Sequence, residues 1–190
     1  MTDILCVRHG EAGHNVLYKQ IGDDAYIDES VLDAPLTDYG IIQAKVLNKQ
    51  ILNIPNIDVV LVSPLTRTLE TNFYILQNYK NIPIISLDNL KEYPNTIDTP
   101  NKRKNIDILQ TKYPNVDFSN ITSNEDDMWN NYKLETIDNL KNRIHIVINY
   151  IKQNFNNKKI LLVGHTTWIS YFLYNRELEL SHCKIYSTKI

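Results

Sequence analysis

The chain has 190 residues, of which 43% are hydrophobic, enough to bury a substantial core as a single domain that can also carry a large insertion. A formal net charge of −2 excludes a bulk basic field for nucleic acid or anionic lipid, so only local arginines remain to hold a small anion. Two cysteines, Cys6 and Cys183, exclude a disulfide framework, and every apolar stretch is broken well short of membrane-spanning length. Met1-Thr2-Asp3 runs straight into an apolar segment without the basic and long apolar regions of a signal peptide, so a cytoplasmic protein is expected.

The first strand is read from Ile4 to Arg8, with Cys6 as a packed core thiol. It stops at Arg8-His9-Gly10, which delivers a fixed cation and an imidazole to one spot where the glycine lets the backbone turn closely. From Glu11 to Val31 no clean period is present, and helix fragments and loop are expected. Asp33 to Thr37 leads into a helix with Thr37 as N-cap and Ile41, Ala44, Leu47 and Ile51 as its apolar stripe. Gly40 in the first turn either permits close packing or is simply tolerated there.

Asp58 to Val62 is a second, buried-type strand running into Ser63-Pro64, read as N-cap and first helical residue. The following helix is expected to bury Leu65, Leu69, Phe73 and Leu76 and to project Arg67 from its first turn. A third strand, Ile82 to Leu87, leads to Asn89-Leu90-Lys91-Glu92. From Tyr93 to about Asn131 the chain is polar, with three prolines and a short helix near Ile106–Leu109; this reads as an insertion covering the site. A long helix then places Leu134, Ile137, Leu140, Ile144, Val147, Ile148, Ile151 and Phe155 on one face. Lys159 to Gly164 is the fourth strand, ending at His165-Thr166-Thr167 before a short apolar helix, and Cys183 to Thr188 adds an edge strand.

Strands alternating with helices predict a three-layer αβα sandwich with a mainly parallel sheet, in which ligands bind at the carboxyl ends of the strands. Arg8-His9, Arg67, Glu92 and His165 each follow a different strand, so all fall on that one rim. Together they suit phosphoryl chemistry. Arg8 and Arg67 can clamp the oxygens, and His9, if neutral and oriented by a backbone carbonyl, can attack phosphorus. His165 at a helix start adds a hydrogen bond, and Glu92, with its pKa raised by enclosure, can protonate the leaving oxygen. No metal or other cofactor is required, because arginines and imidazoles carry the positive charge.

Val7-Arg8-His9-Gly10-Glu11 with Asn15, Pro35-Leu36-Thr37 through Gly40 to Gln43-Ala44, Val62-Ser63-Pro64-Leu65 with Arg67 and Thr71, Leu90-Lys91-Glu92 and Val163-Gly164-His165 follow in a specific order. On these residues the chain resembles the histidine phosphatase superfamily, which includes the phosphoglycerate mutases. The resemblance implies a phosphoglycerate mutase-like fold, His9 as nucleophile, Glu92 as acid, and Arg8, Arg67 and His165 as the phosphate pocket. Asn15 matches a pocket asparagine, and Tyr113 to Ser119 resembles a segment of a mutase-like phosphatase branch. Thr166 and Thr167 stand where many relatives carry glycine; their amides stay usable, and the Thr166 hydroxyl is expected to touch substrate. Tyr93-Pro94-Asn95 replaces the basic residues with which mutases grip a carboxylate, which counts against mutase activity.

The expected activity is therefore hydrolysis of a small phosphomonoester through a phosphohistidine on His9. A mutase-type phosphotransferase and a module that binds phosphate or phosphoprotein without turnover stay open as alternatives, as does the oligomeric state. Glu11 is read as supporting its loop or solvated, His14 as a surface residue, His145 as exposed, and His182 as lacking an identifiable partner. Lys102-Arg103-Lys104 is read as a solvated helix start rather than a collector of polyanions, and Glu125-Asp126-Asp127 as a helix cap or a solvated run.

Overall fold

The computed structural model describes residues 1–79, 81–130 and 132–190; Asn131, the expected end of the polar insertion, lies outside them. Alternation of apolar residues along three strands decides the layers. In β1 (Asp3–Arg8), β2 (Val59–Val62) and β4 (Lys159–Gly164), the residues Ile4, Cys6, Val59, Leu61, Ile160 and Leu162 face one side. Leu5, Val7, Val60, Val62, Leu161 and Val163 face the other. The first side packs under Leu140, Ile144, Val147 and Ile151 of α5 (Ile137–Asn154) and Trp168 and Ile169 of α6 (Thr166–Tyr174). The second packs under α2 (Asp38–Ile51), α3 (Thr66–Ile75) and α4 (Ile106–Lys112).

Five strands form one sheet in the order β3-β2-β4-β1-β5, with β3 spanning Ile84–Ser86 and β5 Ile185–Lys189. The first four are parallel, and β5 runs antiparallel along β1 as the expected edge strand. This is the three-layer sandwich the pattern predicts. Among the described residues, no helix is long and apolar enough to cross a membrane.

Local differences from the sequence reading have physical causes. The stretch after Glu11 contains a regular helix, α1 (Gly13–Ile21), before turning into short 3-10 segments. It buries only His14, so it leaves no apolar period to read; Asn15 Oδ1 secures its start by accepting from Ala12 N at 3.0 Å. Helix α3 starts at Thr66 rather than Pro64. Ser63 still belongs to the sheet, its N donating to Val163 O at 3.1 Å. The cap comes from far along the chain: the buried Asp33 carboxylate accepts from Thr66 N at 2.8 Å and from its hydroxyl at 2.6 Å. Phe73, expected inside, is 58% exposed, and Ile75 is buried in its place. Leu134 is likewise exposed because α5 begins only at Ile137, capped by the Thr136 hydroxyl.

The charged runs of the insertion are solvated at Lys102, Lys104, Glu125 and Asp127, as expected, but the middle side chain of each run turns inward. Arg103 is buried, paired with Asp88 at 2.8 Å, and donates to the carbonyls of Ser123, Asn124 and Glu125. The Asp126 side chain is fully buried against Lys91 at 2.6 Å. Arg143 of α5 pairs with Glu135 at 2.6 Å and donates to the carbonyls of Asn89 and Lys91. Three buried ion pairs thus hold the segment that ends in Glu92. Asp117 adds backbone pairing to β3 in both directions, at 2.8 Å each, which explains why the Tyr113–Ser119 stretch is ordered on the sheet edge.

Candidate active site

Sheet register brings the rim residues together. Arg8 pairs with Gly164 and Val62 with Val163, so β1 and β4 end level and β2 ends one residue short of them. His9 N donates to Gly164 O at 3.0 Å, and the next residues of the three strands, His9, His165 and Ser63, stand side by side. The His9 and His165 ring centroids are 5.2 Å apart, close to the strand spacing itself.

His9 is held from both sides. Its Nδ1 lies 2.7 Å from Gly10 O, and since a carbonyl only accepts, that nitrogen carries the proton and Nε2 keeps its lone pair. Burial, then the charges of Arg67, His165, Arg8 and His14, hold the imidazole well below its ordinary 6.5, so the ring is neutral. The loop behind it cannot drift. Gly10 N donates to the Thr71 hydroxyl at 3.0 Å, and the backbone crosses α2 so closely that a Cβ on Gly40 would sit 2.0 Å from Glu11 O. Close packing is therefore what Gly40 serves. Glu11 supports the loop, accepting from the Thr37 hydroxyl at 3.1 Å and pairing with Lys19 at 2.8 Å.

The two arginines are buried and oriented by carbonyls. Arg8 Nη1 donates to Leu180 O. Arg67, 1% exposed, donates from Nη1 to Pro100 O at 2.5 Å and from Nη2 to Asn101 Oδ1 at 2.7 Å. Burial brings its guanidinium down to about 10. His165 Nε2 lies 2.8 Å from the Ser63 hydroxyl. Arg8 Nε, Arg67 Nε, His165 Nδ1 and His14 Nδ1 are all buried without a protein partner. A buried polar group left unpaired costs about 1–3 kcal/mol, so four such nitrogens near one imidazole describe a receptor for an oxyanion.

Glu92 is buried and sits against the start of α6. Its carboxylate accepts from Tyr93 N at 2.8 Å and from Thr167 N and Trp168 N at 3.2 Å each. Burial still outweighs these bonds and the nearby Arg67, and its pKa is raised. Arg8, His9, Arg67, Glu92 and His165 therefore share one region.

Asn15 and Thr166 are placed one step further out. Asn15 secures α1 and its Nδ2 lies 3.1 Å from His14 Nε2, so it orients that ring. The Thr166 hydroxyl accepts from Leu180 N at 2.9 Å and donates to Leu178 O at 3.3 Å, fastening the loop that holds Arg8. Residues passed over in the sequence also gather here. His14 is buried, not on the surface, with its ring 5.8 Å from His9. His182 has a partner after all, donating from Nδ1 to His9 O at 2.8 Å with its ring 5.4 Å away. Ser63, read as an N-cap, contacts His165; its place at the tip of the strand beside β4 was the signal that could have found it. His145 is exposed on α5 as expected.

A family model described as the histidine phosphatase superfamily (branch 1) matches residues 4–185. The chain is 27% identical over 200 residues to Phosphoglycerate mutase-like protein 1 of Arabidopsis thaliana, covering 90% of this chain and 70% of that protein. It is 27% identical over 167 residues to the uncharacterized phosphatase PhoE of Bacillus subtilis (strain 168), covering 87% and 72%. Among solved structures, the alpha-ribazole phosphatase of Shigella flexneri superposes with a TM-score of 0.67 at 19% identity, covering 99% of this chain and 90% of that one.

Proposed function

This chain belongs to the histidine phosphatase superfamily (branch 1), and on that premise we propose that it is a metal-independent phosphatase that hydrolyses a small phosphomonoester through a phosphohistidine on His9. The observation that carries this reading is the neutral His9 ring, its Nδ1 donating to Gly10 O and its Nε2 free amid buried nitrogens that have no protein partner. The guanidinium groups of Arg8 and Arg67 take the non-bridging oxygens and stabilise charge as the transition state forms. In the tautomer this mechanism uses, the Ser63 hydroxyl donates to His165 Nε2 at 2.8 Å, and the ring's proton on Nδ1 makes it a further donor to the phosphoryl group.

His9 Nε2 attacks phosphorus while Glu92 passes its proton to the leaving oxygen. Water then attacks the phosphohistidine, Glu92 takes back a proton, and inorganic phosphate leaves with His9 restored. Burial favours the protonated form of Glu92 that the first step needs. Asn15 and Thr166 act here through His14 and through the Arg8 loop. The grip of Pro100 and Asn101 on Arg67 supports the segment from Tyr93 to about residue 131 as the cover of the site. Free Cys6 and Cys183 fit a reducing, cytoplasmic setting.

Release of phosphate from a generic aryl phosphate tests the reading. The protein should release it, His9→Ala should abolish release, and a chelator should leave the rate unchanged. Binding of phosphate without turnover, or loss of turnover on chelation, would overturn it.

A further inference from the structure

Residues 96–98 form a three-residue turn, closed by Asp98 N donating to Thr96 O at 2.7 Å, with Ile97 at its centre at φ 59°. This is the rare γ form, and a β-branched residue rarely adopts it. Its neighbours hold it: Ile97 N donates to Asn130 O at 3.1 Å, and Glu135 N to the Thr96 hydroxyl at 2.8 Å. The turn presents Asp98 directly before Thr99–Asn101, the segment whose Pro100 and Asn101 oxygens grip Arg67. Arg67 and His165 each keep a buried nitrogen without a protein partner, which fixes where a phosphoryl group is received. Asp98 is one short turn away.

The surroundings of Asp98 are those of a cation receptor. Its carboxylate is half-buried and makes no hydrogen bond or ion pair among the described residues, while its carbonyl accepts from Trp129 Nε1 at 3.0 Å. The Thr99 hydroxyl donates to the backbone carbonyls of Tyr26 at 3.1 Å and Asp28 at 2.8 Å, which ties the Tyr26 segment to the residue after Asp98; the charge of Asp98 reaches the Tyr26 phenol, whose ring leans on Tyr18 at 5.3 Å. Burial, Glu92 and Asp23 together push the Asp98 carboxyl up to about 7, against Arg67. The cations of this region are already engaged: Lys19 with Glu11, Lys102 over the Trp129 ring at 4.4 Å, and Lys104 near Asp33 at 3.7 Å. A second anionic group on the substrate would meet carboxylates here, whereas an ammonium would meet an unpaired carboxylate within electrostatic reach of the Tyr26 phenol.

We propose that Asp98, with the Tyr26 segment beside it, receives a cationic ammonium group on the alcohol part of the substrate, so that the site selects aminoalkyl phosphate monoesters over neutral and anionic ones. The inference rests on the phosphatase reading above.

Three two-carbon esters of matched size test it: 2-aminoethyl phosphate, 2-hydroxyethyl phosphate and phosphoglycolate. At mildly alkaline pH the wild-type kcat/KM should favour the aminoethyl ester over the hydroxyethyl ester by about tenfold or more, the size of one charge-assisted hydrogen bond. Asp98→Asn should bring that ratio close to one, and Asp98→Lys should reverse it in favour of phosphoglycolate. Hydrolysis of an aryl phosphate that requires His9, with no preference among the three esters, overturns this inference and leaves the phosphatase reading intact. A preference that survives in both Asp98 variants overturns the assignment to Asp98. No phosphate release from any substrate ends the phosphatase reading and this inference together.

Discussion

The chemistry proposed for His9 depends on keeping one nitrogen protonated and the other bare, and the surroundings do both. Gly10 O fixes the proton on Nδ1, while burial and the neighbouring cations keep a second proton off Nε2. Nitrogen NMR of the free protein at mildly acidic pH should therefore show His9 as the neutral tautomer with an unprotonated Nε2, at a pH where an exposed imidazole is largely charged. Observation of an imidazolium there would contradict the assignment. Glu92 carries the opposite demand, since burial lifts its pKa so that it can hold a proton. With Glu92→Gln, turnover of alkyl phosphates should fall by about 10²–10⁴ and that of an aryl phosphate with a good leaving group far less. Equal losses would place the proton donor elsewhere. For the wild type, turnover of the alkyl esters should decline as pH rises through the raised Glu92 pKa, because the acid form is then lost.

At the scale of elements, the β1–α1 loop is fixed by a backbone crossing that admits no side chain. A methyl on Gly40 would sit 2.0 Å from Glu11 O, and one on Gly10 would sit 2.6 Å from Gly40 O. Gly40→Ala should lower stability by about 2–3 kcal/mol in urea unfolding, the scale of core overpacking, and reduce kcat by displacing His9. An unchanged midpoint would mean the crossing is looser than described. Thr37, Gly40 and Gln43 could be read as a motif, but their scaffolding role could not, because the partner of each lies on another element. Thr37 and Gln43 both bond the backbone or side chain of Glu11. The same limit explains Ser63: its sequence neighbourhood suits an N-cap, and only the register of β2 on β4 turns its hydroxyl to His165. Burial of Lys91 against Asp126 was hidden for the same reason. Lys91→Met should cost about 3–5 kcal/mol by stranding a buried carboxylate, and adding Asp126→Asn, which removes the charge and keeps an acceptor for Arg103 N or Trp129 N, should recover part of it. A double variant no better than the single one would show that the pair supplies stability in its own right.

For the whole molecule, the strands, their order of appearance and the shared rim were legible because apolar alternation is local and the sheet is parallel. Arg8, His9, Arg67, Glu92 and His165 could thus be grouped before any geometry was known. The groups that could not be seen are joined across long separations: His182 to His9, Asp33 to Thr66, and Arg143 to Lys91. Asp33 also makes stability depend on pH. Burial raises its carboxyl to about 6, above the value of an unfolded chain, so the folded state binds a proton that the unfolded state releases. Its contribution is fully present below the ordinary carboxylate range and is lost as pH rises through about 6. Asp33→Asn should therefore gain stability relative to wild type by roughly 2–3 kcal/mol on going from acid to neutral pH, read from unfolding midpoints at both. A difference that stays constant with pH would show that Asp33 titrates alike in the folded and unfolded chain.

The proposed mechanism converges on a single bond between His9 Nε2 and phosphorus. Quenching the enzyme during turnover and mapping the phosphorylated peptide by mass spectrometry reads that bond directly. A phosphoryl group on His9 that is lost in acid, survives alkali and is absent from His9→Ala is the predicted result. Steady turnover with the phosphoryl group on a hydroxyl such as that of Ser63, or with none on the protein at any time, would contradict it.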